Sequence, residues 1–330
     1  MFESFWFLIL ILFLSVAFDF VNGWTDACNS IATVVSTRVL SPHVAVLMAA
    51  LFNLIGAFSG TAVAVTIGKG LVAQDSINLL TVATALISVI IWSCVATVFG
   101  LPTSESHGLI SGLAGAGVAT AGTKVLIWAG WRKVFLGLVL APLIGFAIGL
   151  IAMTLLLWLF RRTRPAAVTG IFKKVQIVSA AFMAFSHGSN DAQKTMGIIS
   201  LALAIHFHWS SFHVPAWVIL MSATTMGIGT LFGGWRVIRT MGMNITKLQP
   251  IHGFAAETSA AIVIQAASRI GLPLSTTHVI ASGIMGVGAT RRLSAVRWGV
   301  AGNIVLAWIL TFPICGGIGW LLTTLINQFI

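Results

Sequence analysis

Long uncharged apolar runs alternate along this chain with short polar or basic stretches. The runs 43–68, 76–104, 135–160, 270–290 and 298–330 each hold enough residues to cross the roughly 30 Å hydrocarbon core of a bilayer as a helix. A helix is the element such runs must form, because it satisfies every backbone polar group within its own segment. The first apolar run, 5–18, could be mistaken for the apolar core of a signal peptide. It lacks a basic leading region, however, and Asp19 follows it where a small-residue cleavage site would stand, so it reads as a further helix. The predicted class is an all-α polytopic membrane protein.

Composition agrees with that pattern. Of 330 residues, 58% are hydrophobic and 8% charged, against about a quarter charged in a soluble domain. A net charge of +11 would suggest nucleic acid in a soluble protein, but here the basic residues fall between apolar runs, as in loops on the cytoplasmic face. No nucleic-acid partner is expected; the lipid bilayer is. Arg161, Arg162, Arg164, Lys173 and Lys174 are the densest basic group, and they mark a cytoplasmic linker at 161–174 that also holds Pro165 and Gly170. The N-terminal tail carries Glu3 and no basic residue, which places it outside and requires an odd number of crossings before the linker. Arg132 and Lys133 pull against this orientation, because their counterparts Arg291, Arg292 and Arg297 would set positive charge on both faces. Cys28, Cys94 and Cys315 show neither metal-ligand nor disulfide spacing.

The chain repeats itself. Gly100-Leu101-Pro102-Thr103-Ser104-Glu105-Ser106-His107 recurs 171 positions on as Gly271-Leu272-Pro273-Leu274-Ser275-Thr276-Thr277-His278, and nine of eighteen positions from Gly100 to Gly117 are identical. A weaker pair at an offset of 165 aligns Asn22-Gly23-Trp24-Thr25-Asp26-Ala27-Cys28-Asn29 with His187-Gly188-Ser189-Asn190-Asp191-Ala192-Gln193-Lys194. Both motifs come in the same order at nearly the same spacing in each half. Duplication accounts for this, giving a first transmembrane repeat at 1–160, the linker at 161–174 and a second repeat at 175–330. An odd number of crossings inverts the second repeat. Paired halves with polar, glycine-rich interruptions point to a secondary transporter with its site between them.

Of seven carboxylates, Glu3 and Asp75 look peripheral, while Asp19, Asp26, Glu105, Asp191 and Glu257 lie in or beside apolar segments. A charge at the bilayer centre costs about 3 kcal/mol on insertion scales, so such residues face a partner or a watery cavity. Capping a broken helix is the plainer role for an Asp; the matched repeat positions of Asp26 and Asp191 favour function. Glycine beside Asn, Thr and Asp predicts oxygen-rich helix breaks around both aspartates, suited to Na⁺ or to a protonatable carboxylate. The two Gly-Leu-Pro-x-Ser segments predict new helix starts, with proline in the first turn and a serine cap. Within a membrane such starts aim free N–H groups and the positive end of the helix dipole at an anion. Ser104, Ser106, Ser275, Thr276 and Thr277 add hydroxyls suited to a tetrahedral oxyanion, although hydroxyls also simply pack membrane helices. His107 and His278 lie a turn beyond the serine caps and fit a proton relay or plain packing alike. His206, His208 and His213 cluster with no carboxylate or cysteine, so no metal site is expected there.

These residues carry a resemblance. The segments Asn22–Asn29 and Ser186–Lys194 and the two Gly-Leu-Pro-x-Ser motifs are similar to those of the PiT family of inorganic phosphate transporters. The resemblance implies inverted-topology repeats, two re-entrant helical hairpins, and phosphate carried across the cell membrane with Na⁺ or H⁺. It implies that Asp26 and Asp191 stand on the acidic positions for coupling cations, Na⁺ included, and that Ser104 and Ser275 begin the phosphate-binding hairpins. Ser106, Thr276, Thr277, Asn22 and Asn190 join the expected phosphate set; Asn29, Lys194 and Glu257 join the cation-coupling set. Two departures stand out. Leu86 takes the first-half position matching Glu257, and Lys194 replaces the small or amide residue of Na⁺-coupled relatives, with Asn29 as its repeat partner. Lys194 follows Asp191 by three residues, so its ammonium either takes the place of a bound Na⁺ or snorkels to the surface. The coupling ion stays open between H⁺ and Na⁺, and no cofactor is expected. Competing readings are a transporter of sulfate or another oxyanion, a passive channel, and an intramembrane serine hydrolase using Ser104 or Ser275 with a histidine. The last lacks a Gly-x-Ser-x-Gly elbow, and no enzyme is expected.

Overall fold

The computed structural model describes residues 5–329, so Glu3 lies outside the described residues. Among these, each half of the chain forms six α-helices that match in order and, broadly, in length. They are α1 Phe5–Ser36, α2 Pro42–Ala57, α3 Ala62–Gly70, α4 Leu79–Val98, α5 Glu105–Ala121 and α6 Trp128–Leu159, then α7 Pro165–His206, α8 Ala216–Phe232, α9 Trp235–Arg239, α10 Pro250–Arg269, α11 Thr276–Ala289 and α12 Trp298–Phe329. Proline opens α2, α7 and α10, where its missing N–H costs nothing. Pro142 inside α6 and Pro313 inside α12 occupy positions one repeat apart.

Among the described residues five helices, α1, α4, α6, α7 and α12, are long and apolar enough to cross a membrane. Two bent pairs add to them: α2 with α3, at 69°, and α8 with the segment Trp235–Asn244, at 67°. The expected straight span at 43–68 is therefore a bent pair. The run 270–290 is not a span either, because only α11 within it is helical and 14 residues reach about 21 Å, short of the hydrocarbon core. The basic linker is also shorter than 161–174. Arg161 and Arg162 sit in a turn and Arg164 caps α7, which carries Lys173 and Lys174 on its first turns.

The predicted breaks around Asp26 and Asp191 do not form; α1 and α7 run through both segments unbroken. Their glycines serve packing instead. A Cβ on Gly23 would overlap the carbonyl oxygen of Met226 on α8, and one on Gly188 that of Asn53 on α2. Small residues let helices approach closely in this way, and an intact helix leaves no backbone group unpaired in an apolar setting.

The halves interlock rather than stand side by side. α1 packs on α8 as α7 packs on α2, and α5 packs on α12 as α11 packs on α6. Two apolar cores result, each drawn from both halves. One gathers Ile31, Met183, Ile264 and Ile284 with their neighbours, the other Phe18, Leu86, Leu113 and Met196. Their outer faces stay apolar and exposed, as at Leu143, Leu155, Ile309 and Leu321, as a lipid-facing surface requires.

Candidate functional site

The site begins where α4 and α10 stop. Gly100 and Gly271 adopt φ of 69° and 68°, a left-handed conformation that glycine takes without Cβ strain, and turn the chain back on itself. A short extended stretch follows, and helix resumes only after Ser104 and Ser275. Pro102 and Pro273 thus stand before the helix starts, not in their first turns as expected. Ser104 Oγ accepts the N–H of His107 and Ser275 Oγ that of His278, each at 3.2 Å, so both serines are N-caps. Each turn is braced by the bent pair of the opposite half: Thr240 Oγ1 donates to the Gly100 carbonyl at 2.9 Å and Thr66 Oγ1 to the Gly271 carbonyl at 2.8 Å.

The two starts meet. Ser106 Oγ on α5 donates to the carbonyl of Leu274, just ahead of α11, at 2.9 Å. The rings of His107 and His278 lie edge to face at 4.9 Å, with Trp308 stacked on His278 at 3.9 Å. Neither ring nitrogen of either histidine has a hydrogen-bond partner among the described residues, and the serine caps bond backbone, not imidazole. Among the described residues, neither Ser104 nor Ser275 is hydrogen-bonded to a histidine ring.

Facing these helix starts is the polar side of α1 and α7. Asn29 Nδ2 donates to Thr276 Oγ1 at 3.3 Å and to Thr277 Oγ1 at 3.0 Å. Each threonine then donates to one aspartate, Thr277 to Asp26 Oδ1 at 3.3 Å and Thr276 to Asp191 Oδ2 at 3.4 Å. Asp191 Oδ2 also lies 2.7 Å from Lys194 Nζ and 3.5 Å from His187 Nε2. His187 Nδ1 sits 3.1 Å from Asn53 Oδ1, whose own amide nitrogen donates to Thr230 at 3.0 Å. In that arrangement Nδ1 carries a proton and turns Nε2 toward the carboxylates. Ligand atoms of Asp26, His187 and Asp191 lie within 4.8 Å of one another, a geometry able to hold a cation.

The remaining candidates are dispersed. Asn22 is buried with neither amide atom partnered among the described residues, whereas Asn190 Nδ2 turns away to Ser268 Oγ on α10 at 2.9 Å. Glu257 on α10 belongs to a separate network. It accepts from Thr33 at 2.5 Å, Gln176 at 2.9 Å and Ser179, and Thr33 lies two turns of α1, about 10 Å, beyond Asp26. Glu105, the first residue of α5, is one of the five carboxylates in apolar segments but has no role in the expected phosphate or cation sets. It accepts from Thr25 Oγ1 on α1 at 3.0 Å and from Ser93 on α4. Thr25 neighbours Asp26, which draws Glu105 into the centre. Asp19 is likewise buried, accepting from Thr195 at 2.8 Å. Exposure of Asp26, Glu105, Asp191 and Lys194 is 3%, 2%, 0% and 0%, so the centre is closed to both sides.

Arrangement and sequence both have close counterparts. The model of the Phosphate transporter family matches residues 22–319. A Rhizobium meliloti protein named "Probable low-affinity inorganic phosphate transporter" is 50% identical over 298 residues, covering 90% of this chain and 89% of its own. A Bacillus subtilis protein of the same name is 41% identical over 323 residues, covering 97% of each. A solved structure titled "The sodium-dependent phosphate transporter" superposes with a TM-score of 0.91 at 25% identity, covering 98% of this chain and 99% of that one.

Proposed function

Because the chain belongs to the phosphate transporter family, we propose that it is a secondary transporter that moves inorganic phosphate across the cell membrane together with a cation, H⁺ or Na⁺. The observation that carries this reading is the meeting of two helix N-termini, from opposite halves, beside the paired aspartates. The first N–H groups of a helix have no partner within it, and together with the positive end of the dipole they form an anion site. Ser104, Ser106, Ser275, Thr276, Thr277 and Asn22 are assigned to that side, with the hydroxyls of Thr276 and Thr277 nearest the aspartates; Asn190, turned to Ser268, is not.

Charge explains why a cation must accompany the anion. Asp26, Glu105 and Asp191, when ionised, outweigh Lys194 by two negative charges in a closed, buried space. A phosphate anion added there would face an uncompensated desolvation cost. Positive charge at Asp26 and Asp191, beside Asn29, removes that obstacle, and the part of it that arrives as a mobile cation couples the two movements, while Glu257 provides a second buried carboxylate on α10. The repeats are read as inverted in topology, with α5 and α11 as the returning arms of re-entrant hairpins, the N-terminus outside and the turn before α7 cytoplasmic. Since the site is shut on both sides, helices must shift to expose it alternately.

Phosphate uptake into liposomes holding the purified protein, with Na⁺ and pH gradients imposed separately, tests the reading. Uphill accumulation under one of the gradients is expected. Its absence under both would refute symport, and equal displacement of labelled phosphate by sulfate would move the assignment to a broader oxyanion carrier.

A further inference from the structure

Lys194 is the one long cationic side chain in the described structure that is wholly buried, and its ammonium lies 2.7 Å from Asp191 Oδ2. The side chain does not snorkel; it runs inward from α7 to the carboxylate that the opposite half matches with Asp26. The repeat position of Lys194 is Asn29, a neutral amide that spends its donors on Thr276 and Thr277 and leaves Asp26 without a cationic neighbour of its own on α1. The two halves therefore present unlike versions of one motif, a carboxylate with a tethered cation and a carboxylate without one.

We propose that Lys194 is a specificity-determining residue that fills, as a permanent part of the protein, the place a mobile alkali cation would take at Asp191. This rests on the cation–phosphate symport reading and deepens it by fixing how many cations the site accepts. An ammonium and Na⁺ are both compact monovalent cations that neutralise a carboxylate at close range. With one of them covalently attached, a second cation against Asp191 Oδ2 meets like-charge repulsion. Exchangeable positive charge is then confined to the Asp26 side, near Glu105. The tethered ammonium also keeps the charge that neutralises Asp191 in place during every cycle. Phosphate binding at this half then needs no external cation.

The test measures phosphate uptake into proteoliposomes at fixed pH over a range of Na⁺ concentrations, with N-methylglucamine as the replacing cation. For the native protein the Hill slope on Na⁺ is expected to be one or less. For Lys194→Asn, which copies the Asn29 half, uptake without Na⁺ is expected to fall at least tenfold, to be restored by Na⁺, and to show a slope one greater than native. A native slope near two overturns the proposal. So does a Lys194→Asn protein whose half-saturating phosphate rises equally at all Na⁺ concentrations, since Lys194 would then bind phosphate directly. If Lys194→Asn does not reach the membrane, the native slope alone decides. Native uptake that is absent under every gradient would instead refute the symport reading, so the two failures are distinct.

Discussion

Asn29 and Thr277 stand 3.0 Å apart across the boundary between the halves, the amide of α1 donating to a hydroxyl in the first turn of α11. Thr277 in turn donates a hydrogen bond to Asp26, three residues before Asn29 on the same helix. Asn29 therefore aligns both threonines so that their hydroxyls point to the two aspartates. Replacing it by alanine removes two neutral hydrogen bonds, each worth about 0.5–1.5 kcal/mol. Asn29→Ala should raise half-saturating phosphate about tenfold, the equivalent of about 1.4 kcal/mol, with little change in thermal stability. Initial uptake rates across a phosphate series check this; unchanged affinity would remove Asn29 from the site.

Asp26 and Asp191 should respond differently to loss of charge. Asp26→Asn keeps an oxygen for Thr277 and should abolish concentrative uptake in a protein that melts near the native temperature. Asp191→Asn strands the Lys194 ammonium in a buried site, and breaking such a pair costs about 3–5 kcal/mol. Its melting temperature in detergent should fall, and the double change Asp191→Asn with Lys194→Met should recover most of the loss while still failing to accumulate phosphate. Equal melting of the two single variants would argue against a buried ion pair.

Glu105 is expected to be functional. Thr25 and Ser93 bear hydroxyls that can turn to accept as well as donate, so the amide of Glu105→Gln fits the same contacts. Uptake against a gradient should drop more than tenfold while yield and gel-filtration behaviour stay native. Normal accumulation would leave Glu105 as a structural cap at the start of α5.

Gly23→Ala and Gly188→Ala test the close helix contacts. Each new methyl meets a backbone carbonyl, of Met226 or Asn53, that cannot move aside without shifting its helix. Overpacking of this kind costs about 1–3 kcal/mol, so both variants should melt several degrees below native, and by similar amounts because the two contacts are equivalent. Neutral behaviour in either would show that the helices have slack.

Much of this was legible in the sequence, for reasons that individual residues make clear. Asp26 and Asp191 stood out because a carboxylate in an apolar run is costly and each marks the other across the repeat. Ser104 and Ser275 were readable as caps from the Gly-Leu-Pro-x-Ser pattern. Glu105 is visible as a carboxylate in an apolar segment, but its role is not: its repeat partner is Thr276, and an acid in the first turn of a helix is commonplace. His187 pairs with Asn22 across the weak repeat and so drew no attention. Gly23 and Gly188 misled, since glycine among polar residues suggests a break, whereas between membrane helices it equally permits contact with a neighbouring carbonyl. The contribution of Thr25 and Ser93 depends on contacts 80 and 12 residues distant. Run length likewise measured apolar residues without showing where the chain turns back at Gly271.

The reciprocal packing of the helices has a consequence for how the chain is made. α5 is covered by α12, and α7 must arrive before α2 is covered. α12 begins about 190 residues after α5, and at a synthesis rate of about 5–20 residues per second the first half waits roughly 10–40 seconds with its partner surface open to lipid. During that interval Glu105 also lacks the completed bundle that buries it. The newly inserted first half is thus a waiting template, and the late arrival of α12 is what closes it.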